Sequence, residues 1–180
     1  MAYTFQGATD VINCGTGIPG YSDAYTWSAH IRPDLATNVR RDILNHYVLG
    51  ATPQDMFLQL QVSGTNVLGF GFRRSGASQY PQATWTTGFG AGSEHIVFGV
   101  WDGTTQRIYA DGDGTYKATN TPTSGPNLVA NPVFYIGNNS ASNRIWDGVI
   151  SEVAFWSRAL AVGEIIAVGL GYSPAFFPVE

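Results

Sequence analysis

The sequence predicts an all-β fold, an antiparallel β-sandwich with one short C-terminal helix, on three observations. Apolar residues recur at every second position over several runs, Gly/Asp/Asn turn signals separate those runs, and only 12% of the 180 residues are charged. Period two is the signature of a half-buried strand. Many short strands with such turns make a sandwich. A chain this poor in charge must draw its solubility from Ser, Thr, Asn, Gln and Gly. The length fits one domain, 1–180, with 172–180 as a C-terminal tail, since neither the 22 glycines nor the nine prolines pool into a linker.

The elements follow in order. Tyr25, Trp27, Ala29 and Ile31 alternate with Thr26, Ser28, His30 and Arg32, and Pro33 closes the run. The segment from Arg40 to Leu49 reads equally as a short helix or an irregular strand. Leu58, Leu60 and Val62, then Leu68, Phe70 and Phe72, form two further alternating runs across a Ser63-Gly64-Thr65-Asn66 turn. No pattern is legible from Arg73 to Gly92. Ile96, Phe98 and Val100 alternate with His95, Val97 and Gly99 and lead into Asp102-Gly103. Asp111-Gly112-Asp113-Gly114 is a second hairpin signal, because an Asp-Gly pair supplies the two positive-φ positions of a type I′ turn. Phe134-Tyr135-Ile136 and Val149 to Trp156 read as the last strands. The second puts Val149, Ser151, Val153 and Phe155 on one face and Ile150, Glu152, Ala154 and Trp156 on the other, so both faces are expected to be covered. Leu160 to Gly169 has helical spacing with Gly169 as its C-cap.

Composition narrows the function classes. The net charge is -4, with nine basic residues of which one is lysine, which disfavours a nucleic-acid surface. No apolar run approaches the ~18 residues of a membrane span. The one cysteine, Cys14, precludes an intrachain disulfide or a Cys-rich zinc cluster. Met1 to Gly7 shows neither a basic n-region nor an apolar stretch, so the expectation is that no signal peptide exports the chain.

Several stretches resemble one family. Phe5-Gln6-Gly7, Asp10-Val11-Ile12 and Tyr25 to Pro33 look like the opening of laminin-G-like domains of the concanavalin A-like lectin/glucanase superfamily. Glu94 to Gly103, Arg107 to Gly112 and Phe134 to Gly137 resemble its central strands, and Asp147 to Leu160 is similar to its strand-to-helix ending. Ser93 stands where the family usually carries a tryptophan. The resemblance runs from about Phe5 to Gly171. The tail from Gly169 to Pro178 resembles freestanding domains encoded by bacteriophages and prophages. The resemblance implies the jelly-roll form of the sandwich. The phage-like tail, the signal-free start and the low charge make a binding or structural module the expectation, foremost a phage virion accessory or capsid decoration protein. Such a module would sit in a virion against a capsid or tail protein, in an oligomer or alone, and touch surface glycans. The alternative is a soluble carbohydrate-binding lectin-like module, with or without calcium.

Fold does not decide between hydrolase and binder, so the residues must. A glucanase of this architecture needs paired carboxylates at short range. The acids two apart are Asp111 and Asp113, which read first as turn residues and second as a calcium loop. Asp147 and Glu152 are five apart and expected on opposite faces, so a glycan hydrolase is disfavoured. His30, His46 and His95 have no metal-ligand spacing and are read as packed or surface residues. The binding candidates are aromatics outside the alternating faces. Tyr80, Trp85 and Phe89 lie in a Gly/Ser/Thr/Gln-rich stretch, and Trp146 follows a polar loop with Asn138, Asn139 and Arg144. Exposed, they would suit sugar stacking or a protein contact; the competing expectation is that they fold back onto the core. No cofactor is called for beyond the calcium option.

Overall fold

The computed structural model describes residues 2–6, 10–16, 24–34, 40–47, 56–63, 65–72, 81–126, 133–139 and 144–172. Its strands are β1 (Ala2–Gln6), β2 (Ile12–Asn13), β3 (Tyr25–Pro33), β4 (Arg40–Tyr47), β5 (Met56–Ser63) and β6 (Thr65–Phe72). They continue as β7 (Gln82–Thr86), β8 (His95–Trp101), β9 (Gln106–Ala110), β10 (Ala118–Asn120), β11 (Val133–Ile136) and β12 (Asp147–Trp156), before helix α1 (Val162–Gly169). Two six-stranded antiparallel sheets result, β1-β12-β3-β8-β9-β10 and β2-β11-β4-β5-β6-β7. This is the expected jelly-roll sandwich. Among the described residues no helix is long and apolar enough to cross a membrane.

The core lies between the sheets. Trp27 from β3 meets Phe70, Phe134 and Phe155 edge-on at 6.3, 5.5 and 5.7 Å between ring centroids. Such pairs add ~0.5–1.5 kcal/mol each beyond the area they bury. Gly99 faces Phe70 so closely that a Cβ there would lie 2.1 Å from the ring, so the glycine in the β8 alternation is the space Phe70 occupies. The segment that read as helix or strand is strand β4, because Leu44 is paired to Ile136 on one side and Leu58 on the other. His46 also points into this core, where burial pushes its imidazole down to about 3 and keeps it neutral. β7 and β10, which have no alternating signature, are edge strands, where one neighbour suffices and the apolar pattern is relaxed.

A second core covers the outer face of the first sheet. Phe98, Val100, Tyr109 and Trp156 pack against Leu160, Ile165 and Val168 of α1 and its lead-in. Thr26 and Ser28, expected on a solvated face of β3, are therefore fully buried. The Thr26 hydroxyl donates to Arg158 O and accepts the Leu160 N–H, both at 2.9 Å, which fastens the helix entry to the sheet. Glu164 caps the helix start. It accepts the Ala161 N–H at 2.8 Å and a two-pronged Arg158 guanidinium, whose hydrogen bonds hold its carboxyl below the usual range.

The helix end corrects the expectation that Gly169 is the cap. Gly171, at φ 93°, takes the left-handed position, and the Gly171 and Tyr172 N–H groups donate to Val168 O and Ala167 O in a Schellman motif. Gly169 instead touches Gly112 of the turn after β9, where a Cβ would fall 2.3 Å from the Gly112 Cα. It is glycine for close approach, not for its torsion.

The face assignment of β12 is also corrected. Ser151 pairs with His30 and Ala154 with Ser28, so two residues of β12, Glu152 and Val153, oppose the single Ala29 of β3. This bulge inverts the phase of everything after it. Ile150 thus shares the inner core with Val153 and Phe155, while Ala154 and Trp156 face the helix. Glu152, at φ 50°, is turned out to solvent.

Candidate functional site

The bulge places Glu152 at the mouth of an open cavity of ≈ 450 Å³ on the outer side of the first sheet, beside the last turn of α1. His30 from β3, Glu94 just before β8, His95 at its start, and Asp111 in the β9–β10 turn complete its polar wall. Ile96 and Val168 supply an apolar patch, and Gly169 and Gly171 present backbone without side chains. Asp111 and Gly112 have φ of 56° and 65°, the pair of left-handed positions expected of the Asp-Gly turn. The turn is pinned to β8 in both directions. Asp111 Oδ1 accepts the Ile96 N–H at 3.1 Å, and the Asp111 N–H donates to Ile96 O at 2.9 Å.

His95 organises this wall. Its Nδ1 lies 3.0 Å from Asp111 Oδ2 and its Nε2 3.0 Å from Ser93 Oγ, while the ring stacks on Phe89 at 3.6 Å between centroids. Ser93, His95 and Asp111 thus form the hydrogen-bonded chain of a nucleophilic triad. The hydroxyl is committed elsewhere, however. Ser93 Oγ donates to Gly90 O at 2.6 Å, and the neighbouring N–H groups of Ser93 and Gly92 are already bonded to Gly90 O and Pro33 O. A serine whose proton points away from the imidazole, with the nearby amides occupied, is a strap holding the loop before β8. His30 is held more loosely, with Nδ1 3.5 Å from Ser151 Oγ and Nε2 3.9 Å from Glu94 Oε2.

The residues singled out from the sequence fall in two places. Asp111 lines the cavity and Phe89 backs it through His95. Phe89 is 4% exposed, in edge contact with the half-buried Trp85 at 5.4 Å. Lys117 Nζ lies 5.8 Å over the Trp85 ring. Asn138, Asn139, Arg144 and Trp146 belong to the β11–β12 connection against the other sheet. Asn138 Oδ1 accepts the N–H groups of Asn139 and Arg144, and Arg144 Nη1 reaches Asp42 Oδ2 at 3.5 Å. Asp42 also accepts from Asn45 Nδ2 at 2.8 Å. Asp42, Asn45 and Asn138 have no exposed surface, so this network is an internal clamp between β4 and the connection.

Of the two expectations for these aromatics, Phe89 and Trp146 follow the one in which they fold back onto the core. Trp146 is 0% exposed, with its indole in the core between the sheets and its backbone N–H donating to Gly137 O at 2.6 Å. Tyr80 lies outside the described residues. The calcium option on Asp111 and Asp113 meets two separated commitments. Asp111 is tied to His95, and Asp113 to the Thr115 N–H and Lys117, whose hydrogen bond holds the Asp113 carboxyl below its usual range. Among the described residues no group of three or more His, Cys, Asp or Glu is disposed to hold a metal ion.

Four wall residues, His30, Glu94, His95 and Glu152, were not singled out as binding candidates. The legible signal was polar residues at strand starts and on outward faces, which also describes ordinary solvated positions.

Two packed six-stranded sheets, a helix sealing part of one outer face, and a polar cavity at the helix end define a lectin-like β-sandwich. The chain belongs to the concanavalin A-like lectin/glucanases superfamily, whose family model matches residues 6–166. No curated protein matches it. Among solved structures it is similar to the carbohydrate-binding module CBM40 of the Ruminococcus gnavus IT-sialidase, solved with α2,3-sialyllactose. That similarity has TM-score 0.70 and 12% identity, over 94% of this chain and 98% of that one. Domain 4 of the arabinanase AbnA from Geobacillus stearothermophilus, in complex with arabinotriose, gives TM-score 0.68 and 17% identity over 92% and 75%. The heptameric SAP-like pentraxin of Limulus polyphemus gives 0.61 and 17% over 88% and 80%. At these identities the likeness is one of fold.

Proposed function

We propose that this chain is a non-catalytic, lectin-like module that binds a saccharide in the cavity walled by His30, Glu94, His95, Asp111 and Glu152. The cavity carries the proposal. Its volume, ≈ 450 Å³, is within the range of small-ligand sites. Carboxylates and imidazoles around an apolar patch match a sugar ring, whose rim is hydroxylated and whose face is C–H. Two neighbours in fold were solved with oligosaccharides, which supports the class of ligand. A glycan array, run with and without a chelator, is the test. Reproducible retention of a saccharide is expected, weakened about tenfold or more in a His30→Ala/Glu152→Gln double variant. An array without retention, or binding indifferent to the double variant, overturns the proposal.

We further propose that the module is carried on a bacteriophage particle as an accessory or decoration protein, against a capsid or tail protein. The support is the resemblance of the run from Gly169 to Pro178 to freestanding phage-encoded domains, together with a charged fraction of 12%. The chain is then expected in purified virions at fixed copy number by mass spectrometry. Intact particles lacking it would reject this placement.

A further inference from the structure

The outer side of α1 is built like an inner one. Of the five large apolar side chains that stand exposed among the described residues, four gather here. They are Tyr116, Val162, Leu170 and Tyr172, between 45% and 69% exposed. Val162, Ile166 and Leu170 recur every fourth residue and so form one stripe along the helix and its cap. The stripe borders the β9–β10 turn, where a Cβ on Gly114 would lie 2.7 Å from Ile166 Cδ1 and 3.4 Å from Val162 Cγ1. Two residues on, Tyr116 stands edge-on to Tyr109, which belongs to the core beneath the helix. The polar residue of α1 is Glu164, and its carboxylate is taken up by the Ala161 N–H and Arg158. A helix apolar on every side is a buried helix. Ile165 and Val168 are buried against the first sheet, which accounts for one side of α1. The opposite side, with Gly163, Ile166, Ala167 and Leu170, presents no polar side chain to water.

The chain itself ends its helix at this face. The Schellman motif at Gly171 brings the Tyr172 N–H to Ala167 O at 3.1 Å, so the chain stops advancing along the helix axis there. Residues 173–180 follow, outside the described part, with two phenylalanines and a valine against the single charge of Glu180. Pro174 and Pro178 do not continue a helix, and each favours extended backbone at the residue before it. Phe177 is five residues beyond Tyr172, a reach of up to about 17 Å in extended chain. The helix is about 12 Å long, so the phenylalanines can meet any part of the stripe.

We infer that residues 173–180 are the cover of this face, a strap that runs back along α1 and lays Phe176 and Phe177 on Val162, Ile166, Leu170 and Tyr116. The tether singles out this occupant. A segment joined to the edge of the patch is present there at millimolar effective concentration, which a free partner does not match. The contact is independent of what the cavity binds.

Two measurements on the full chain test the strap. In a nuclear Overhauser spectrum, ring protons of Phe176 and Phe177 are expected to meet methyl groups of Val162, Ile166 and Leu170. In thermal melts, Leu170→Lys and the double variant Phe176→Ala/Phe177→Ala are each expected to lower the midpoint by about 4–8 °C. Combined, they are expected to lower it by less than the sum, because both remove the same contact. An uncovered leucine would accept lysine with a shift of at most about 2 °C. Ring contacts to Ile96 would put the segment in the cavity instead. Ring contacts or a midpoint that grow with protein concentration would make the cover a second copy. Either result overturns the strap, as do missing ring contacts, a harmless Leu170→Lys or fully additive melts.

Discussion

Gly148→Ala is expected to lower the melting temperature by roughly 10 °C or more, or to abolish folding. Gly148 lies at φ 128°, a torsion that L side chains rarely adopt. A Cβ there would stand 2.0 Å from Arg32 O and 2.9 Å from Asp34 N, both backbone atoms. Neither can swing aside as a flexible side chain would. Gly148 is paired to Phe5 of β1 and Pro33 of β3, so any shift must move three strands at once. Torsional strain of 1–3 kcal/mol and overpacking of similar size together make about 4 kcal/mol. For a chain of this length each kcal/mol moves the midpoint by about 2–4 °C. Gly88→Ala, with open space and no left-handed torsion, is the control and is expected to stay within about 0.5 kcal/mol of the parent. Thermal melts followed by circular dichroism decide it. A Gly148→Ala midpoint equal to that of the control would contradict the close approach of β12 to β3.

Trp146→Ala is expected to cost about 3–5 kcal/mol of stability, the range for emptying a fully buried large aromatic site. The indole has no exposed surface and joins the inter-sheet core. Its Nε1 has no hydrogen-bond partner among the described residues, so Trp146→Phe, which removes that donor and keeps a ring, should cost much less. Urea unfolding of the two variants separates a packing role from a binding one. A surface stacking platform would lose ligand on substitution and keep its stability. Unchanged unfolding of Trp146→Ala would put the indole back at the surface.

Trp146 also shows where sequence reasoning ends. The polar run before it, Asn138 to Arg144, has the composition of an exposed loop. What composition does not carry is that Asn138 satisfies the N–H groups of Asn139 and Arg144, and that Arg144 reaches back to Asp42 on a strand far away in sequence. Those bonds let polar residues go inside, and the tryptophan goes with them. The choice between exposure and burial was not legible at Phe89 for a related reason. Its partner His95 comes from the next strand and is held by Asp111 and Ser93, so its burial depends on a hydrogen-bonded cluster rather than on any apolar period.

The strands themselves were legible wherever one face is apolar and the register regular. β3, β5, β6 and β8 follow their alternation, and the Asp111-Gly112 turn follows from its two left-handed positions. β12 was legible as a strand but not in its phase, because a bulge leaves no mark in a pattern that is apolar on both faces. β4 had to be pulled into a strand by β5 and β11, and β7 and β10 by single neighbours at the sheet edges.

By itself, then, the order of residues determined that this chain makes two apolar-lined antiparallel layers with tight Asp-Gly turns and a terminal helix, since periodicity and turn torsions are local properties. Only the tertiary structure decided where a ligand could sit. His30, Glu94, His95, Asp111 and Glu152 come from a strand interior, a strand start, a turn and a bulge spread over more than 120 positions. They meet because the β12 bulge rotates one carboxylate outward and the helix stops just short of the others. Each of those events depends on contacts between segments distant in the chain, which no local pattern encodes.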